Sequence, residues 1–238
     1  MTPAASRALN RALSRPTYRR ALSRIDASWV APTVASVTPT ASGNKTAHSL
    51  NLPATVLANE LLIVFAAADG FWVNIPSTEA EGWSRVAAWA SDAGCAIFVK
   101  KAVGNEGGTT LAVSTEANEY VASHAYRIQT WSGNLTDVVI GTLSTGTGGT
   151  ATCPSLTSGF GAVPTLWIAF CGTSTARSLT ATPDGYTAIA QAGSNSTNNA
   201  QVKTAHIEKT VATESPGTFI HDGNAPWCTT TVAVRGTG

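Results

Sequence analysis

The sequence is short of charge, of long apolar runs and of the motifs that mark secretion. Asp, Glu, Lys and Arg make up 12% of its 238 residues, against 43% hydrophobic residues. This balance excludes a long disordered chain, which would need few apolar residues and a high net charge. No run approaches the ~20 apolar residues of a membrane-spanning helix. No apolar segment follows the N-terminal arginines, as it would in a secretory signal. We expect a globular protein with no membrane partner.

Catalytic motifs are also lacking. The chain has no nucleophile elbow, phosphate-binding P-loop, HExxH pair or calcium loop. Two histidine–acid pairs could hold a metal, and three acids could flank a sugar, but sequence alone brings neither set together. These residues are His206 with Glu208, His221 with Asp222, and Asp69 with Glu79 and Glu81. We therefore expect no enzyme, no metal and no cofactor.

The four cysteines show no CxxC spacing: Cys95, Cys153, Cys171 and Cys228. Free cysteine is among the most buried residue types. We expect four reduced thiols inside strands, since two disulfides would require an oxidising compartment.

Acidic residues are absent from the first 24 positions, which nevertheless hold six arginines: Arg7, Arg11, Arg15, Arg19, Arg20 and Arg24. The remainder carries nine basic and fourteen acidic residues. Ala, Leu and Arg favour helix, which Pro16 divides in two. We interpret residues 1–30 as a basic helical arm that anchors the protein, with Tyr18 and the arginines touching the partner. A mitochondrial transit peptide fits the same composition. DNA binding is the rival interpretation, and a thin Leu/Ile stripe along the arm favours a protein partner over nucleic acid.

After Asp26 the pattern changes to short, alternating or wholly apolar runs bounded by Gly, Pro, Asn and Asp. Candidate strands are 33–39, 45–52, 60–67, 84–90, 94–102, 109–115, 119–130, 137–143, 165–171, 186–191, 200–211, 217–221 and 227–235. No amphipathic helix separates them. Residues 31–238 are therefore predicted to form an all-β, antiparallel β-sandwich.

An internal repeat divides this body into halves of about 31–142 and 150–238. "ELLIVFAAADG" (60–70) matches "TLWIAFCGTST" (165–175), and Trp83 matches Tyr186. Lys101, Glu106 and Arg127 recur 108 positions later as Lys209, Glu214 and Arg235. The glycine-rich "LSTGTGGTAT" (143–152) is interpreted as a flexible connector. Each half offers only about five strands, so we expect the two halves to share one core.

The order "ELLIVFAAADG", "EGW", "IFVKKAVGNEGG" and "ASHAYRI" resembles a domain frequent in tailed-bacteriophage and prophage proteins. The resemblance covers roughly residues 32–236. It implies a jelly-roll-like sandwich in a virion structural protein of the capsid-decoration, head-spike or tail-fibre type. It also implies capsid, portal or tail proteins as partners. We expect a homo-oligomer, with a trimer as the first hypothesis, located in the virion after assembly in the host cytoplasm.

Phe71 and Trp72 have no aromatic counterpart in the second half. They follow a predicted central strand, where exposed aromatics can stack on sugars or dock on a neighbouring subunit. The alternative function is therefore a receptor-binding module that recognises a glycan on the host surface. The sequence also allows a second interpretation, in which the two rings close the end of the core.

Overall fold

The computed structural model describes residues 29–70, 73, 81–89, 93–193 and 199–238. Outside these ranges lie the predicted site residues Arg7, Arg11, Arg15, Arg19, Arg20, Arg24, Tyr18, Phe71 and Trp72. The predicted helices of the arm also fall there.

The described residues form antiparallel strands and one short 3-10 helix, Leu135–Asp137. The strands are β1 Thr33–Asn51, β2 Leu61–Ala68, β3 Ser84–Trp89, β4 Gly94–Lys101, β5 Thr110–Gln129, β6 Val138–Ile140, β7 Ser144–Cys153, β8 Leu156–Thr157, β9 Pro164–Thr173, β10 Leu179–Ala181, β11 Thr187–Ala188, β12 Gln201–Thr210, β13 Thr213–Glu214 and β14 Gly217–Arg235. The predicted all-β, sandwich-like class is confirmed. Three pairs of predicted strands are continuous in the structure, as β1, β5 and β14.

Each half builds one large sheet, except that β6, at the end of the first half, joins the sheet of the second half. The equivalent strands of the two sheets follow the same order. The first is β1-β5-β2-β4-β3. In the second sheet, β14, β9, β12 and β11 follow one another. β6 and β7 pair with the edge of β14 that faces away from β9. β10 pairs with Ile220 and His221, which belong to the part of β14 before Trp227 that we call its distal part. The doubly apolar runs β2 and β9 each lie between two other strands, as their sequences predict.

The strand registers refine the repeat. Leu61 pairs with Lys101 and Ile128, and Leu166 pairs with Glu208 and Val234. The predicted equivalence of Arg127 and Arg235 is therefore wrong by two residues. Arg127 lies opposite Leu62, whereas Arg235 lies opposite Thr165, the counterpart of Glu60. Sequence spacing could not reveal this shift, because a loop of different length realigns the strand that follows it.

The core has three apolar layers. The central layer, between the sheets, takes residues from both halves, including Phe65, Tyr126 and Phe170. Alternate residues of β2 and β9 point away from it into two outer clusters, one on each sheet. This layering explains why β2 is buried on both faces along its whole length.

The predicted flexible connector is instead strand β7. It pairs with β14 in two stretches, between Gly217 and Ile220 and between Ala225 and Thr229. Its glycines allow close packing: a Cβ added to Gly146 would overlap the Trp227 ring, and one added to Gly149 would lie 3.2 Å from the His221 carbonyl oxygen. The low-complexity composition thus reflects a crowded strand, and the flexible interpretation is wrong.

The expectation of four reduced thiols is also wrong for one pair. Cys95 of β4 and Cys228 of β14 form a disulfide that crosses the central layer and joins the two halves. Cys153 and Cys171 are buried free thiols in the outer cluster of the second sheet. Burial raises the pKa of both thiols, that of Cys171 to about 12, so both are poor nucleophiles.

Reduction should weaken the fold, because the disulfide closes a sequence separation of 133 residues. We expect a loss of about 2–5 kcal/mol in the free energy of unfolding, measured by urea titration with and without reductant. The double variant Cys95→Ala/Cys228→Ala should show no response to reductant. Alkylation of the denatured, unreduced protein should label two cysteines, and labelling of all four would contradict the assignment.

Gly146→Val should destabilise the protein by about 1–3 kcal/mol, because the new side chain must displace the Trp227 indole or shift β7. Gly43→Ala is the matched control, since an added Cβ there meets no atom within 4 Å. Thermal denaturation of both variants measures the difference. A Gly146→Val protein as stable as the Gly43→Ala control would restore the flexible interpretation of residues 143–152.

Candidate binding ends of the sandwich

One end of the sandwich is where the described chain begins. Val30 and Thr237 exchange backbone hydrogen bonds of 2.9 and 3.1 Å, so the segment after the arm lies beside the last strand. The Arg235 guanidinium carbon is 4.8 Å from the Trp29 ring centroid and 6.0 Å from that of Phe160. Trp29 keeps 39% of its surface exposed. We call this region the arm end.

The opposite end carries the segment that leads to Phe71 and Trp72. β2 runs away from the arm end, from Leu61 to Ala68, and the chain then continues through Asp69 and Gly70. The Asp69 carboxylate accepts a 2.7 Å hydrogen bond from the Tyr120 N–H. The Asp69 carboxylate is therefore held in a structural hydrogen bond. Of the three acids predicted to flank a sugar, only Glu79 and Glu81 remain. Glu79 lies outside the described residues, and Glu81 is exposed. We call this region the loop end.

A small cleft lies between the two halves at the loop end. It has a volume of about 140 Å³, and Ser42, Gly43, Tyr120, Gly193 and Asn199 are among its lining residues. This volume is below the range of roughly 300–1,000 Å³ that is typical of pockets for drug-sized ligands. The cleft could hold one small group, such as a single sugar ring or a side chain of a neighbouring protein.

Each half contains a buried glutamate that pairs with a lysine beside an aromatic ring. In the first half, Lys100 Nζ lies 2.9 Å from Glu106 Oε1 and 5.9 Å from the Trp83 ring centroid. The Val103 and Gly104 N–H groups donate to the same carboxylate at 3.0 and 2.9 Å. Burial would raise the pKa of Glu106, but hydrogen bonds from Val103, Lys100 and Gly104 outweigh it and lower the pKa to about 2.

The second half repeats this arrangement. Lys209 Nζ lies 2.6 Å from Glu214 Oε1 and 5.6 Å from the Tyr186 ring centroid. The Tyr186 hydroxyl donates to the same oxygen at 3.1 Å. The predicted match of Trp83 with Tyr186 is therefore confirmed. The lysine that takes the place of Lys209 in the ion pair is Lys100 and not Lys101. The two lysines match by their contacts and not by strand position, because Lys100 lies opposite Leu62 and Lys209 lies opposite Thr165, the counterpart of Glu60.

A polar groove of about 520 Å³ opens beside the first of these pairs. Its walls include Glu81, Trp83, Lys100, Asn105 and Thr109. The Trp83 ring is only 3% exposed and cannot serve as an open stacking platform for a sugar. The Lys100–Glu106 pair is already satisfied within the protein, so the polar groups left for a ligand are exposed ones such as Glu81 and Asn105.

The histidine–acid pairs do not become metal sites in the described part of the chain. Among those residues, no group of three or more His, Cys, Asp or Glu side chains is placed to hold a metal ion. The same residues include no helix with the length and apolarity needed to cross a membrane. No protein-family model, curated protein or solved structure matches the chain.

The buried Glu106 predicts a pH dependence of stability. Because its pKa is lower in the folded protein than in the unfolded chain, its contribution is complete above about pH 4.5 and is lost as the pH falls towards 2. Glu106→Gln should be less stable than the parent by about 3 kcal/mol at pH 6, since Lys100 loses its partner. The difference should shrink in urea titrations at pH 3. Glu81→Gln, on the same groove but exposed, should keep the parental pH dependence, and an equal pH dependence in the Glu106→Gln protein would contradict the assignment.

Proposed function

We propose that the chain is a non-enzymatic structural component of a tailed-phage virion, of the capsid-decoration, head-spike or tail-fibre type. In this proposal, residues 1–30 form a helical anchor and the body is a jelly-roll-like sandwich. The observation that carries the proposal is the position of Trp29 and Val30 beside the C-terminal strand at the arm end. An anchor attached there leaves the loop end free to face outward.

The charge distribution supports a protein partner for the anchor. Six arginines in the first 24 residues have no acid near them in sequence, while the body carries more acid than base. Guanidinium groups pair with carboxylates through two parallel hydrogen bonds, which fix geometry as well as add affinity. We propose an acidic groove on a capsid, portal or tail protein as the partner.

The disulfide supports a location that is exposed to oxidation. Disulfides persist on virion and cell surfaces and are rare in the cytosol. A particle protein made in the host cytoplasm can acquire the Cys95–Cys228 bond once the particle leaves the cell. The sparse charge of the body also favours assembly with copies of itself, and a trimer remains our first hypothesis.

The glycan-binding alternative is favoured by one observation, the small cleft between the halves at the loop end. Gly70, the last described residue before Phe71 and Trp72, lies at that same end. A tail fibre could use the arm end for attachment and the loop end for a host glycan. Glycan binding would not depend on the arm, so arm variants separate the two hypotheses.

Changing Arg7, Arg11, Arg15 and Arg19 to Gln tests the anchor. Gln and Arg have similar helix propensities, so the change removes charge and guanidinium geometry with little effect on helix formation. We expect the folded body to disappear from purified particles, because each lost charge-assisted hydrogen bond is worth roughly 1.5–3 kcal/mol before exposure reduces it. Quantitative mass spectrometry of particles measures its occupancy.

Changing the same four residues to Lys is the matched control, because charge is kept and the bidentate geometry is lost. Docking on carboxylates predicts reduced occupancy for the Lys variant, between the Gln variant and the parent. Nucleic-acid binding predicts that the Lys variant keeps a salt-sensitive DNA shift and the Gln variant loses it. Parental occupancy of the Gln variant would overturn the anchor.

A further inference from the structure

The outer face of the second sheet contains buried polar side chains that have no hydrogen-bond partner. Lys203 and Thr173 are completely buried, and His221 is 4% exposed. The atoms without a partner include Lys203 Nζ, Thr173 Oγ1 and Trp227 Nε1. The His221 ring interacts with the Gly148 backbone. Buried polar atoms nearly always have a partner in native proteins, so several orphans in one place call for an explanation.

The strand registers bring two of these groups, Lys203 and Thr173, close together. Lys203 of β12 pairs with Cys171 of β9, and Thr173, two residues further along β9, pairs with Trp227 of β14. Alternate residues of a strand share a face, and Cys171 belongs to the outer cluster, so Lys203 and Thr173 also point outward from the central layer. His221 belongs to the distal part of β14 and is close enough to Lys203 to interact with it electrostatically.

Charges of both signs lie near Lys203. Arg177 interacts electrostatically with Lys203, and its Nε donates to the Asn224 carbonyl oxygen at 3.0 Å. The one acid that interacts with both Lys203 and His221 is Asp222, which is exposed and accepts a 3.0 Å hydrogen bond from the Ser178 N–H. Burial and Lys203 lower the pKa of His221 to about 4, so this imidazole is neutral near pH 7. Lys203 forms no ion pair with any described residue.

The first half shows that the fold does not require these polar residues. The registers place Ala96 where the second half has Lys203, and Ala66 where it has Cys171. Likewise Ala68 and Val121 stand where the second half has Thr173 and Trp227. The same scaffold is therefore stable with an apolar surface at this place. The polar set in the second half has a separate cause.

We propose that Lys203 and Thr173 form a buried binding site for a small inorganic anion of about chloride size. An ammonium and a hydroxyl can both donate, and the ammonium cannot accept. Burial lowers the pKa of Lys203, and a bound anion would oppose this shift by favouring the charged form. Such a pair repels a metal cation and fits a group that only accepts. The complete burial of Lys203 and Thr173 favours a monatomic ion over a larger oxyanion, and the ion joins the distal part of β14 to the sheet beneath it.

The first test is the dependence of stability on chloride. The full-length protein is unfolded by urea at constant ionic strength while gluconate is exchanged for chloride. If the folded state binds one chloride, the unfolding equilibrium constant falls about tenfold for each tenfold rise in chloride above the dissociation constant. Crystals soaked in bromide should show an anomalous scattering peak within hydrogen-bond distance of Lys203 Nζ.

Two variants and one control make the test specific. Lys203→Met keeps the side-chain length and should abolish both the chloride dependence and the bromide peak, and Thr173→Val should weaken the chloride response several-fold. Lys45→Met removes an equal charge from an exposed lysine and should respond to chloride as the parent does. If Lys203→Met does not fold, Thr173→Val and the bromide crystals decide the question. A parent protein with no chloride dependence and no bromide peak would overturn the proposal and assign these atoms to buried water.

Discussion

The structure depends on the burial of one face of each sheet against the other. Neither half has enough strands to enclose a core, so the side chains on its inner face need the opposite sheet. At the centre, the Phe65 and Phe170 rings stack with centroids 5.2 Å apart, and Tyr126 meets Phe65 edge to face at 5.6 Å. β2 and β9, which supply these two phenylalanines, are the equivalent strands of the repeat. The Cys95–Cys228 disulfide crosses the same layer.

Much of this arrangement could be predicted from the sequence, because it follows from local patterns. The apolar run 61–68 is too short for a buried helix and lies between turn residues, so it predicts a central strand. Its near copy at 166–171 predicts a second central strand with the same environment. The match of Trp83 with Tyr186 could be found in the same way, since each ring follows its central strand at a similar interval, 22 residues after Leu61 and 20 residues after Leu166.

Other features could not be predicted, because they depend on contacts between distant parts of the chain. Residues 144–153 have the composition of a linker, and only the Trp227 ring packed against Gly146 explains why they are glycines. The disulfide joins residues 133 positions apart with no motif around either cysteine. Lys203 stands in an ordinary alternating strand, and its burial follows from the distal part of β14 above it. The predicted arm and loop contacts rest on composition alone, since those residues lie outside the described ranges.

The two halves have diverged in a pattern that follows from the central layer. Three of the four inward positions of the two central strands carry the same residues: Leu61 and Leu166, Ile63 and Ile168, Phe65 and Phe170. The fourth has Ala67 and Gly172, where an added Cβ would overlap the Cys95 sulfur. Outward positions differ: Leu62 and Trp167, Val64 and Ala169, Ala66 and Cys171, Ala68 and Thr173. An inward residue packs against the other sheet, so a change there must be compensated in the opposite half. An outward residue packs only within its own half and is freer to change. Properties that distinguish one half from the other are therefore expected on the outer faces, which is where the unpartnered polar side chains of the second sheet occur.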